Sequence, residues 1–245
     1  MESKILERGQ LDVAIEDVQS LTHEEYALAR KNGFGASDSS ILCGVNLYKT
    51  LDELITEKNC KYITEEEKEV GEKAIVRKGF DLEPIILDKA FVELDAMDYV
   101  GVLIKPKNMY VFKDTPGLNV NYDGVFISEE GLFPVEAKLV SKYGEKYYNK
   151  SITLAEAKQV DMKLEGSDLE THIKRKALKL GIPAYYYTQV QQEIAGLDAP
   201  FGFLGALFDE TWTFKMFYVP RDEYVITKIK QIAKENLPKI KRETI

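Results

Sequence analysis

Two short apolar segments near the middle of the chain constrain its fold more than any other feature, because each carries charge within it. Val120 to Ile127 contains Asp123, and Leu132 to Val140 contains Glu136 and Lys138. Val120, Val125, Phe126, Ile127, Phe133, Val135, Leu139 and Val140 make both segments apolar enough for buried sheet strands. In a strand, residues i and i+2 share a face. Glu136 and Lys138 therefore point the same way, and Ala137 points opposite. A surface hairpin with alternating charges can produce the same spacing by chance, but it does not need so much apolar flanking. Buried charges are costly unless they are paired or bind a metal.

Two acids in one place concentrate negative charge for a hard cation such as Mg²⁺, which favours oxygen ligands. A lysine beside them supplies a point charge that can orient a water or steady a developing phosphorane. An Asp at a strand end, with Glu and Lys two apart on the next strand, is the arrangement by which metal-dependent nucleases hold a divalent ion beside a phosphodiester.

The chain has 245 residues, enough for one sizeable domain, and shows no repeat, linker or low-complexity stretch. One domain over 1–245 is expected. No apolar run approaches membrane-spanning length and the N-terminus lacks a signal-peptide core, so no membrane association is expected. Cys43 and Cys60 are the only cysteines; free thiols in a reducing cytoplasm are the simplest account. The formal net charge of −8 confines any DNA site to one groove.

Thr22 to Glu25 has capping-box form and opens a helix to about Lys31. Ser37-Asp38 caps a short helix closed by Gly44, Thr50 caps another, and Thr64 with Glu67 a third that runs toward Gly79. Pro84 belongs in the first turn of the next helix. Strands are expected at 99–105, 109–113, 120–127 and 132–140, as a meander, with two more at 201–208 and 212–219. Helices are expected over 151–165, 168–180, 185–195 and from Arg221 to Lys234 or beyond. The pattern predicts an α/β fold, a central mixed sheet flanked by helices.

Four further segments bear on chemistry. Glu83 precedes Pro84 near the expected helix start, where it is either a third carboxylate for a second metal or a partner of the helix dipole. Arg30 lies seven residues before Ser37, across Gly33-Phe34-Gly35. Glycines ahead of a helix-opening Ser expose N–H groups to an anion, and Arg adds a bidentate phosphate contact; a plain Ser cap is the alternative. Gln189 and Gln192 share a helix side and either bond a phosphate or water, or face solvent. Basic runs at Lys174-Arg175-Lys176, Lys179, Lys228, Lys230, Lys234, Lys239, Lys241 and Arg242 border a DNA channel or form the wet side of amphipathic helices.

Taken in order, R-x6-S at Arg30 to Ser37, G-x3-E at Gly79 to Glu83, Asp123-Gly124, E-x-K at Glu136 to Lys138 and Q-x-Q at Gln189 to Gln191 resemble the phage lambda exonuclease family. These are the YqaJ-like viral recombinases within the PD-(D/E)XK nucleases. Tyr122 stands before Asp123 where the superfamily name has Pro, and Glu193 stands where the helicase-associated branch has Tyr. The resemblance implies a restriction-endonuclease-like fold and a 5′ to 3′ exonuclease on double-stranded DNA ends, leaving a 3′ overhang for a single-strand annealing protein. It implies Asp123, Glu136 and the Ala137 carbonyl as metal ligands, and Glu83 as support for a second Mg²⁺, with Mn²⁺ able to substitute. It implies Lys138 and Gln189 beside the attacking water or scissile phosphate, Arg30 and Ser37 on the terminal 5′-phosphate, and a homotrimer around DNA. The residues leave open an endonuclease of the same fold, used in restriction or repair, a non-catalytic DNA-binding module, and a structural protein with no DNA role.

Overall fold

The computed structural model describes residues 11–241, apart from 65–66, 68, 70–72, 149–151, 165 and 167. Its centre is a five-stranded mixed sheet in the order β2-β5-β6-β7-β8, formed by Gly101–Ile104, Gly124–Ser128, Gly131–Val140, Phe201–Phe208 and Thr213–Pro220. β5 and β6 form the predicted hairpin, with Gly124 opposite Val135 and Ser128 opposite Gly131. β6 and β7 are parallel. A parallel pair cannot be joined by a tight turn. The crossover carries α5 (Lys142–Glu145), α6 (Leu154–Lys158), α7 (Leu169–Leu180) and α8 (Ala184–Leu197). β7 is apolar or glycine throughout and buried at every residue, as a strand covered on both faces must be. Pro134 precedes the first β6–β7 pair, Val135 with Phe203, so its missing N–H breaks no bond of that ladder.

Three expectations about elements are corrected. The segment 120–127 is not one strand. It divides into β4 (Asn119–Val120) and β5, and β4 joins β1 (Leu11–Ile15) and β3 (Met109–Phe112) in a second sheet ordered β1-β3-β4. The break is held by Tyr122, which is buried and whose hydroxyl donates to the Glu193 carbonyl at 3.2 Å. Gly196 makes room for it, since a Cβ there would lie 2.3 Å from that hydroxyl. Gly196 lies within its helix; α8 runs to Leu197, and Asp198 turns left-handed with φ 52°.

Pro84 does not open a helix. It lies inside α4, a 23-residue helix from Ala74 to Ala96, so Glu83 sits mid-helix. An interior proline costs about 3 kcal/mol or more. Ile86, Leu87, Ala90 and Leu94 are buried on the same helix, which packs mainly on β6, and this burial offsets the cost. Finally, the helix expected over 151–165 is only α6, five residues long. Residues 151 and 165 lie outside those described, as do most of those between Thr64 and Lys73 and, among the basic runs, Arg242.

Elsewhere local chemistry and structure agree. Thr22 and Thr50 form complete capping boxes at α1 (His23–Ala29) and α3 (Leu51–Lys58). Thr64 and Glu67 exchange the same two bonds. Ser37-Asp38, by contrast, does not cap a helix through a side chain; the pair lies in a 3₁₀ turn that leads into α2 (Ser39–Leu42). Gly181 closes α7 at φ 75°, and Asp222 caps α9 (Glu223–Asn236). One hydrophobic cluster runs from Leu11 to Ile240. Among the described residues no helix is long and apolar enough to cross a membrane.

Candidate active site

Asp123 immediately precedes β5, and Glu136 and Lys138 lie on β6, the strand that β5 pairs with. Asp123 accepts a hydrogen bond from the Ala137 N–H at 3.0 Å, which ties the end of β5 to the middle of β6. In an extended strand a residue's N–H and C=O face the same neighbour. The Ala137 carbonyl therefore faces the gap beyond Gly124 and Val135, the last pair of the hairpin, beside Asp123.

Glu136 and Lys138 share a face, as the two-residue spacing predicts, and the Lys138 ammonium bonds the Glu136 carboxylate directly. It lies 3.9 Å from Asp123. From α8, Gln189 donates through Nε2 to Glu136 and, at 3.2 Å, to Glu193. Glu136 and Glu193 are both buried and share the Gln189 amide as donor, which brings two carboxyls together away from water. Burial, then Asp123, pushes Glu136 up to about 7 against the pull of Lys138. Burial, then Glu136, raises Glu193 well above the ordinary carboxylate range. Burial opposes charge on Lys138, but Glu136 and Asp123 outweigh it and hold the ammonium protonated.

Glu83 reaches the same place from α4, where Lys105 bonds it at 2.6 Å. Burial, followed by Asp123, raises its pKa despite that lysine. Among the described residues the carboxylates are gathered but not closed into a cluster of three metal-binding side chains. Lys138 and Lys105 neutralise them instead. The donor set fits a hard cation: carboxylate oxygens of Asp123 and Glu136 with one backbone carbonyl, and Glu83 behind them.

Arg30 donates to the Ser37 hydroxyl at 2.7 Å, its guanidinium 5.8 Å from the centre of the Tyr26 ring. Ser37 is exposed. Two of the N–H groups in the glycine loop are already taken. Phe34 N–H donates to the Gly117 carbonyl at 2.7 Å and Gly35 N–H to the Asp38 carboxylate at 2.9 Å. Gly33 is needed for close approach, since a Cβ there would fall 2.2 Å from the Gly117 oxygen. Asp38 is locked by Lys58 at 2.8 Å; burial works against its charge, but Lys58 and Arg30 bring its pKa below the usual value. The side chains that this segment turns to the cleft are the Arg30 guanidinium and the Ser37 hydroxyl.

One cleft of about 480 Å³ is lined by Arg30, Ser37, Glu83, Asp123, Glu136, Lys138 and Gln189, so every side chain to which the family resemblance gives a role opens onto one space. The other two glutamines of α8 are structural: Gln192 donates to the Asn119 carbonyl and Gln191 to the Pro220 carbonyl, and both are buried rather than solvated. The described basic runs lie on α7, α9 and the segment after it, outside the cleft lining. Lys176 is buried and donates to the Asp161 carbonyl, which neither reading of that run anticipates. Sequence reasoning misses Glu193 and Lys105. Glu193 is detectable in principle, four residues after Gln189 on the same helical face. Lys105 carries no local signal.

A mixed sheet with an acid-and-lysine cleft at the mouth of its central hairpin, beside an Arg–Ser pair, defines a nuclease-type architecture. The chain belongs to the YqaJ-like viral recombinase family, whose domain model matches residues 25–196. Its fold is similar to that of the alkaline exonuclease LHK-Exo from Laribacter hongkongensis, at 16% identity and TM-score 0.53, covering 86% of this chain and 89% of that one. It is similar also to LHK-Exo in complex with dAMP, at 16% identity and TM-score 0.57, covering 88% and 91%. No curated protein matches the sequence.

Proposed function

We propose that this protein is a metal-dependent exonuclease that digests one strand of double-stranded DNA from a 5′-phosphorylated end toward 3′, exposing the other strand for recombination. The observation that carries the reading is the sharing of one cleft by the Arg30–Ser37 pair and the Asp123–Glu136–Lys138 set. An anion site beside a hydrolytic site suits a substrate that presents a terminal phosphate next to the bond to be cut. The fold likeness to an alkaline exonuclease and the viral recombinase family agree with it.

Asp123, Glu136 and the Ala137 carbonyl would hold Mg²⁺, with Glu83 supporting a second ion; bound magnesium supplies charge to the phosphodiester and acidifies its water. Mn²⁺ suits the same oxygen donors. Lys138, held protonated, offsets charge that develops on the phosphorane. Gln189 exchanges its carboxylate partners for the attacking water or a phosphate oxygen. Arg30 and Ser37 hold the 5′-phosphate and set the register of the cut. A homotrimer around the duplex and a single-strand annealing protein as partner complete the reading.

The test is digestion of linear and covalently closed circular duplexes, with Mg²⁺ or EDTA, on 5′-phosphate and 5′-hydroxyl ends. Loss of linear DNA only, with Mg²⁺ only and faster from phosphorylated ends, is expected. Ser37→Ala should reduce the preference for phosphorylated ends about tenfold, as loss of one hydrogen bond to a charged group would. Cleavage of closed circles would instead favour an endonuclease of the same fold.

A further inference from the structure

Beside the cleft, on the far side of Lys138 from the hairpin mouth, lies a groove of about 310 Å³ lined by Tyr48, Tyr143, Tyr147, Tyr148, Tyr185 and Tyr186. These are six of the 14 tyrosines in the chain, which makes the concentration a feature of the place rather than of composition. Five come from α5, the turn after it and the start of α8; Tyr48 comes from the loop between α2 and α3. The geometry points to a single-stranded DNA site in this groove, where unpaired bases stack on the tyrosine rings next to the hydrolytic cleft. The inference rests on the nuclease reading for its biological sense, but not for its test.

Continuity with the cleft comes first. The Lys138 ammonium lies 5.5 Å from the centre of the Tyr186 ring. Tyr186 meets Tyr185 at 4.5 Å between centroids, and Tyr185 meets Tyr147 at 6.3 Å. A path of rings thus begins on the lysine that faces the scissile bond and leads away along the surface.

Exposure comes second. Tyr143 is 82% and Tyr48 84% exposed. Large rings gathered in the open mark an interaction site more often than chance. Tyr48 is also held in place: Asn46 accepts from the Tyr48 and Lys49 N–H groups at 2.8 and 2.9 Å, and donates to the Ser40 hydroxyl at 2.9 Å. A ring presented on a braced loop loses little freedom when it binds.

Charge comes third. The Lys146 ammonium sits 5.0 Å from the centre of the Tyr147 ring, and Lys142, on α5, is exposed and 3.4 Å from Glu210. Rings for bases with lysines for the backbone are the combination that binds single strands without regard to sequence. An enzyme that digests any end needs that tolerance. The unpaired strand can be the one entering the cleft or the one left behind, and the chemistry is the same for both.

The experiment uses the full chain in EDTA, so that no hydrolysis occurs, and a 3′-labelled oligo(dT) read by fluorescence anisotropy. Tyr48→Ala with Tyr143→Ala should weaken binding roughly 10- to 100-fold, as loss of two stacking rings does. Both rings are exposed, so the fold is not at risk, and Tyr48→Phe with Tyr143→Phe should bind like wild type. Tighter binding of a 5′-phosphorylated oligonucleotide than a 5′-hydroxyl one would identify the strand entering the cleft; equal binding would identify the one left behind. Unchanged affinity in the alanine variant, equal loss in the phenylalanine variant, or no binding by wild type would overturn the proposal. Capture of a proline-rich peptide by the same tyrosines in place of DNA would overturn it too. A protein that fails to digest DNA can pass this test, and a working nuclease can fail it.

Discussion

Helix α8 carries polar side chains on two faces that are treated in opposite ways. On one, Tyr187 and Gln191 enter a closed network around Asp222. The Asp222 carboxylate accepts from the Tyr187 hydroxyl at 2.6 Å, meets His172 Nε2 at 2.8 Å, and caps α9 through the Tyr224 and Val225 N–H groups. Gln191 accepts from the Asp222 N–H at 2.8 Å and donates to the Pro220 carbonyl at 2.7 Å. On the other face, Gln189 and Glu193 stand with Glu136 and Asp123 around a single ammonium, Lys138. One set is buried and mutually satisfied, which is what stability asks of polar groups. The other crowds like charges, which costs stability and is characteristic of sites that await a charged ligand. The helix joins them: one face anchors it, and the other delivers Gln189 to the cleft.

The comparison breaks first at Lys138. Lys138→Ala, and separately Asp123→Ala, should lower Mg²⁺-dependent digestion by roughly 1,000-fold or more while circular dichroism shows the fold retained. Digestion at an undiminished rate by either variant would remove that residue from the chemistry. The reverse pattern is expected at Asp222. Asp222→Ala leaves Tyr187 and His172 without their shared partner and uncaps α9. It should cost about 3–5 kcal/mol in urea unfolding, with activity per folded molecule retained. A loss below about 1 kcal/mol would mean the network contributes little beyond ordinary surface bonds.

A smaller effect concerns pH. Burial raises the folded-state pKa of Glu136, to about 7, and of Glu193. Between the ordinary carboxylate range and those values, the native state binds more protons than the unfolded one. The pair's contribution to metal-free stability is therefore greatest at acid pH and is lost as pH rises through 7. Glu193→Gln should flatten that fall, because a neutral amide no longer competes with Glu136 for a proton. An unchanged slope in thermal unfolding between pH 5 and 8 would show that the pair is not the source.

The two faces also differ in how far they can be read from sequence. The β5–β6 hairpin is legible because alternation along a strand is strict: Glu136 and Lys138 must share a face, and the apolar flanks say that face is covered. Thr22 and Thr50 are legible because capping is local. The division of 120–127 is not, because Tyr122 leaves the sheet for a packing partner more than 70 residues away, near Glu193 and Gly196. Pro84 misleads for a related reason: local preference is overridden by the face that α4 buries. Glu193 and Lys105 escape notice because only the tertiary fold brings them to the cleft. The Asp222 network escapes entirely, since its members lie on separate elements.

The most direct test of a metal site is thermal unfolding at pH 8 as Mg²⁺ is added, without DNA, for wild type and for Asp123→Asn. A cation that relieves the crowded carboxylates should raise the wild-type midpoint by several degrees in a saturable way, with no saturable rise in the variant. Equal shifts in both proteins, or none in wild type, would contradict the account.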